Sequence, residues 1–171
     1  MQKKTSIYVL LLLTIFIVIA SGSEVEGNYG SIGKESHQAI DIKAFAQEIF
    51  ELTNAARITE GLSPLSINVK LVAVATKRAE EISVSFAHER PSGASWETVL
   101  EEYEAAPYRT ASENIVRSSA PATAKRFIEG LMNSPSHREN ILHPAFTRLG
   151  VGVYRDEKGI VHAVQIFVGE L

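Results

Sequence analysis

Three short runs concentrate the side chains able to do chemistry: Phe86-Ala87-His88-Glu89-Arg90-Pro91-Ser92-Gly93, Ser112-Glu113-Asn114-Ile115 and Ser134-Pro135-Ser136-His137-Arg138-Glu139-Asn140. Each sets an ionisable group beside a turn-forming or helix-capping residue, and His88, Glu113 and His137 follow one another at intervals of 25 and 24 positions. Two neutral imidazoles and a carboxylate make a reasonable site for Zn²⁺ or a related divalent cation, with solvent in the fourth position. The same groups could serve as a general base and its orienting partner around a bound water. A third arrangement does no chemistry: a hydrogen-bonded polar knot joining two loops and a helix, since buried polar groups need such partners. No nucleophile accompanies them, because Cys is absent and no Ser lies in a nucleophile-elbow sequence. Spacing alone does not bring the two histidines together.

The elements that must position these groups are readable from periodicity. Ile42, Phe45, Ala46, Ile49 and Phe50 form a helical stripe behind Asp41, a good N-cap, and predict a helix to about Glu60 with Gly61 just past its end. Asn68 predicts the cap of a second helix, with Ile67 and Val72 as a hydrophobic staple and Leu71, Val74, Ala75, Ala79 and Ile82 on the buried face. That helix yields near Phe86 to the loop carrying His88, where Pro91 and Gly93 prevent continuation. Ser95 opens a short helix through Trp96, Val99 and Leu100, and Asn114-Ile115-Val116 forms a brief strand. Pro121 marks the first turn of a third long helix with Ala124, Phe127, Ile128 and Leu131 inward, and Ser134 caps a short helix containing His137. Leu149 to Tyr154 and Val161 to Val168 make a closing hairpin around a polar turn. Helices around an antiparallel sheet predict an α+β fold.

The ends and the composition narrow the function classes. Lys3 and Lys4, an apolar run from Ile7 to Ala20, and the small residues Ala20-Ser21-Gly22 predict a signal peptide over 1–22. Fourteen helical residues reach about 21 Å, short of the ~30 Å hydrocarbon core, which disfavours a stable membrane span; an uncleaved leader would be the one route to membrane attachment. Residues 23–40 carry Gly, Ser and charge with little apolar content and are expected to be a flexible spacer, leaving 41–171 as a single domain. With 15 basic against 20 acidic residues after cleavage, and no basic face, nucleic-acid binding is not expected. No disulfide can brace the fold, since the chain has no Cys.

The set and order of these runs resemble the CAP superfamily, the SCP-like extracellular domain. Asn54 and Arg57 in the first helix, Gly61-Leu62-Ser63-Pro64-Leu65 after it, Leu71 to Ala79, and Gly150-Val151-Gly152-Val153 extend the resemblance over roughly Ala44 to Val168. It implies an α-β-α sandwich with a small central antiparallel sheet of three or four strands, and an extracellular location. It also implies a central cleft lined by two His and two acidic residues. His88 and His137 match the two His, and Glu113 matches the family Glu. The second acidic position aligns near Ser134, with Glu129 and Glu139 as off-motif neighbours, and Leu131 stands where bacterial members commonly carry Trp. A complete family fold beside an incomplete acidic set and no nucleophile makes a secreted, non-catalytic binding module the expected function, with a small lipid, a wall component or a protein as its ligand; a metal-dependent extracellular hydrolase and a purely structural interaction domain are the alternatives. Around the cleft, Arg90 and Arg138 are expected to recognise anions or to pair with carboxylates such as Glu89 and Glu139. Trp96 and Tyr103 are expected in the core or the cleft wall, Asn54 and Arg57 as ties to neighbouring loops. His143 is expected in a loop, His162 at an edge or satisfied strand position, and His37 in the spacer.

Overall fold

Capping decides where the helices start. Asp41 Oδ1 accepts from the backbone N–H groups of Lys43 and Ala44 at 3.0 and 3.1 Å and opens α1 (Ile42–Thr59). Gly61, at φ 76°, takes the left-handed conformation that ends it. The two-residue strand β1 (Ser66–Ile67) follows, and Asn68 Oδ1 then caps α2 (Val69–Val84) through Lys70 and Leu71 N–H. A short α3 (Thr98–Glu102) precedes β2 (Thr110–Ser118), a nine-residue strand rather than the three residues expected around Ile115. Helix α4 (Ala124–Met132) starts later than Pro121 implies, because Thr123 Oγ1 accepts from Arg126 N–H and supplies the cap. Then come α5 (Pro135–Leu142), with Ser134 at its N-cap and Pro135 in its first turn, and the strands β3 (Arg148–Arg155) and β4 (Val161–Gly169). A computed structural model describes residues 40–170 of the chain, apart from Ala106 and Ala120, and these belong to one compact unit, Gln38–Leu171. The expected signal peptide, most of the spacer and His37 lie outside the described residues.

The four strands run in the order β1-β3-β4-β2. β4 is antiparallel to both β3 and β2, while the short β1 adds a parallel bridge to β3 at one edge. Every residue of β4 is buried, so both faces of the sheet are covered, as an α-β-α sandwich requires. Successive residues of a strand point to opposite faces, and the two cores follow that alternation. Val161, Ala163 and Phe167 pack with Phe45, Ile49, Phe127 and Leu131 from α1 and α4. Val164, Ile166 and Val168 pack with Leu71, Val74, Ala75 and Ile82 from α2 and with Val99 and Leu100 from α3. Glycine lets α2 lie against β3: a Cβ built on Gly150 or Gly152 would sit 2.1 Å from the backbone carbon of Leu71 or Ala75. Among the described residues, no helix is long and apolar enough to cross a membrane.

Candidate functional site

Strand β2 is the outer strand of the sheet, and its Glu113-Asn114 pair divides the work of the site between the two layers. Glu113 points to the α2 side. Its carboxylate receives Arg78 Nε on Oε1 at 2.7 Å, Arg78 Nη2 on Oε2 at 3.3 Å, and lies 2.8 Å from His88 Nδ1 through Oε2. Asn114 points to the α1 side, where its Nδ2 donates to the carbonyl of His137 at 3.1 Å and to Gln165 Oε1 at 3.1 Å. Its Oδ1 accepts from Asn140 Nδ2 at 2.8 Å. One dipeptide thus fixes the His88 loop on one face and the helix of His137 on the other.

Arg78 is the participant that sequence reasoning missed. It lies on α2 with its side chain 0% exposed, and besides Glu113 it bonds Glu81 Oε2 at 2.8 Å and the carbonyls of Ala87 and His88 at 3.0 and 3.2 Å. Its position, four residues after Val74 and four before Ile82 on the buried stripe, was the available signal: a cation on an apolar face requires a partner. Burial works against its charge, but the hydrogen bonds and charges of Glu113 and Glu81 outweigh that and hold its pKa above the ordinary guanidinium value. The network continues outward. Arg90 donates to Glu81 Oε1 at 2.7 Å, to Thr98 Oγ1 at 2.9 Å and to Glu102, not to the neighbouring Glu89. At Glu81, burial raises the pKa, yet the hydrogen bonds and charges of Arg90 and Arg78 win and depress it. A depressed carboxylate contributes stability present above its unfolded pKa and lost as pH falls through the folded value, so this network weakens in acid.

The two imidazoles differ in setting. His88 is 54% exposed at its side chain, and its Nδ1 contact with Glu113 turns Nε2 away from that carboxylate. With Glu113 accepting from Nδ1–H, Nε2 carries the free lone pair. His137 is half-buried in the first turns of α5, and its pKa is lowered by burial first and then by the charge of His88. The sign follows directly: His137 stays neutral below the pH at which an ordinary histidine protonates, and its burial costs stability as pH falls below the unfolded value of 6.5. Both oxygens of Glu113 are engaged within the protein, and among the described residues no group of three or more His, Asp or Glu side chains is placed to hold a metal ion. Ser134 caps α5 without a side-chain hydrogen bond. Glu129 is exposed, 3.8 Å from Lys125, and Glu139 is also exposed.

The remaining expectations divide. Asn54 and Arg57 tie α1 to its surroundings as expected: Asn54 exchanges two hydrogen bonds with the Leu65 backbone at 3.0 and 2.7 Å. Arg138 pairs with Glu60 at 2.7 Å, not with Glu139. His162 sits in the interior strand β4, not at an edge, 1% exposed and 3.1 Å from Asp156 Oδ2 through Nε2. That hydrogen bond is the main reason the Asp156 carboxyl lies below its ordinary range. His143 forms the C-cap of α5 and packs against Phe146 with the rings tilted by 41° and their centroids 4.8 Å apart.

Comparison with known proteins sets this geometry in a family. The family model for CAP, the cysteine-rich secretory protein family, matches residues 50–169. The chain is 34% identical over 131 residues to the uncharacterized protein YkwD of Bacillus subtilis (strain 168), covering 75% of this chain and 49% of that protein. It is 32% identical over 111 residues to the uncharacterized membrane protein YlbC of the same organism, covering 64% of this chain and 31% of that one. Among solved structures, an extracellular protein containing an SCP domain from Bacillus anthracis superposes with a TM-score of 0.67 at 28% identity, over 75% of this chain and 41% of the other. The chain therefore spans about half the length of YkwD and less of the other two.

Proposed function

The chain belongs to the CAP family, the cysteine-rich secretory proteins, and from that premise we propose that it is an exported, non-catalytic binding module whose cleft at the β2 edge captures its ligand through His88 and His137. The observation that carries this is the Glu113–His88 contact, which consumes the only buried carboxylate of the candidate set as an orienting group and presents His88 Nε2 at the surface. Glu113, already receiving three donors, is left only to orient the ring, and neither a Cys nor a Ser in a nucleophile-elbow sequence accompanies the oriented imidazole as a nucleophile. The imidazole pair itself suits a divalent cation such as zinc, with solvent or ligand atoms completing the coordination.

Calorimetry with Zn²⁺ tests the pair. His88→Ala and His137→Ala should each abolish most of the binding, with the double variant adding little because the two act as one site. Affinity should fall in acid, as protons compete for both imidazoles. Unchanged affinity in both single variants would leave the histidines as parts of a polar knot.

Export is supported by the Lys3-Lys4 leader and by the extracellular SCP-domain protein of Bacillus anthracis among the structural relatives. Mass spectrometry of the protein recovered from culture medium should give an N-terminus between about Ser21 and Val25. Recovery only of Met1-containing protein in membranes would instead make the leader an anchor, in keeping with the membrane protein YlbC among its relatives.

A further inference from the structure

Beside His88 lies a cleft of about 330 Å³ lined by His88, Glu89, Gly93, Ser95 and Trp96. The loop that forms it is built to be rigid. Arg90 N–H donates to Ala94 O and Gly93 N–H to Arg90 O, both at 2.8 Å, closing a turn in which Gly93 adopts φ 84°. The Arg90 side chain then pins that turn to Glu81, Thr98 and Glu102, so the loop is anchored to α2 and α3 by charged hydrogen bonds. Trp96 is partly buried against the core that contains Val99 and Leu100, which fixes the indole while leaving part of it on the cleft wall.

The lining selects a ligand class by elimination. It contains no aliphatic side chain, so an acyl chain would gain little from entering. It contains a carboxylate and no Lys or Arg, which opposes a phosphate or carboxylate ligand. What remains is one aromatic surface surrounded by a carboxylate, a hydroxyl and an imidazole. That combination matches a neutral ring with one C–H-rich face and hydroxyls around its rim: the face packs on the electron-rich indole, and the rim donates to Glu89 and to Ser95 Oγ, whose own proton goes to Glu97.

We propose that this cleft is a subsite for a neutral sugar ring, which makes the ligand of the His88 site a glycan. The inference rests on the binding-module function above and names its ligand class. Because Trp96 is the only tryptophan of the chain, its fluorescence reports the subsite directly. Titration of the full chain with the β-1,4-linked trimer of N-acetylglucosamine should give a saturable change in Trp96 emission, while palmitate and inorganic phosphate should give none. Trp96→Ala should weaken trimer binding, measured by calorimetry, about tenfold or more. Trp96→Phe, which keeps an aromatic face and is the safer variant for folding, should retain most of it. Glu89→Ala should weaken it without altering the far-ultraviolet circular dichroism.

An unresponsive Trp96 at millimolar trimer, or a saturable response to palmitate or phosphate in its place, overturns the proposal. So does trimer binding that survives Trp96→Ala and Glu89→Ala unchanged. Zinc titration of the same variants keeps the two conclusions apart: trimer binding with no zinc binding would remove the cation site and leave the sugar subsite standing. Zinc binding without trimer binding would do the reverse.

Discussion

Replacing Arg78 by Met should destabilise the domain by about 3–5 kcal/mol and, with it, remove the zinc binding proposed for His88. The first figure is typical of breaking a buried ion pair from one side. Arg78 and Glu113 are both 0% exposed at their side chains, so a methionine of similar reach would leave the Glu113 carboxylate buried with only the imidazole of His88 beside it. Glu81 fares better, because Arg90 also holds it. The second effect follows from geometry. Arg78 fastens the carbonyls of Ala87 and His88 as well as the carboxylate that orients the ring, so its loss frees the loop and the imidazole together. Arg78→Lys should fall between wild type and Met, since an ammonium keeps the charge but not the fork that serves two carboxylates and two carbonyls at once. Urea melts at pH 7 with calorimetry on the same samples check both parts. A loss under about 1 kcal/mol, the range of an exposed pair, would mean the network is slack.

Arg57→Ala should cost a similar amount, about 3–5 kcal/mol, through backbone rather than charge. Arg57 is 1% exposed at the end of α1. Its Nε donates to Ser63 O at 3.0 Å, its Nη1 to Ile141 O and His143 O at 2.8 and 2.9 Å, and its Nη2 to Phe146 O at 3.4 Å. Alanine would strand those carbonyls and open a cavity, against a total stability of about 5–15 kcal/mol for a domain of ordinary size. Because Ile141 and His143 end the helix that carries His137, the variant should also weaken the proposed zinc binding wherever it still folds. Unchanged stability by urea melts would show that water replaces the guanidinium without cost. The two arginines matter more here than they would with disulfides present: the chain belongs to a family described as cysteine-rich yet contains no cysteine, and Arg57 and Arg78 are among the polar ties between its distant segments.

Local signals determined much of this protein without any tertiary information. Asp41 and Asn68 lie where side-chain caps are decided by neighbours two or three residues away, and Ser134-Pro135 marks a helix start through proline's fixed backbone, with no side-chain cap from Ser134. Leu71, Val74, Ala75, Ala79 and Ile82 follow a period that leaves one face to bury, and all five are buried. His88, Glu113 and His137 stand out by residue type beside turn-forming or capping neighbours, so the candidates themselves were legible. Their roles were not. Strand β2 extends well beyond Asn114-Ile115-Val116 because its ladder to β4, from Thr110 opposite Gly169 to Ser118 opposite Val161, is set by the partner strand and not by local propensity. His162 reads the same in sequence whether its strand is inside or at the edge; strand order placed it inside. Above all, Glu113 is equally good as a metal ligand, a base or an orienting group until Arg78 and His88 arrive from 35 and 25 residues away to occupy its oxygens. A carboxylate's function is decided by which donors reach it, and those contacts exist only once α2, β2 and the His88 loop have packed.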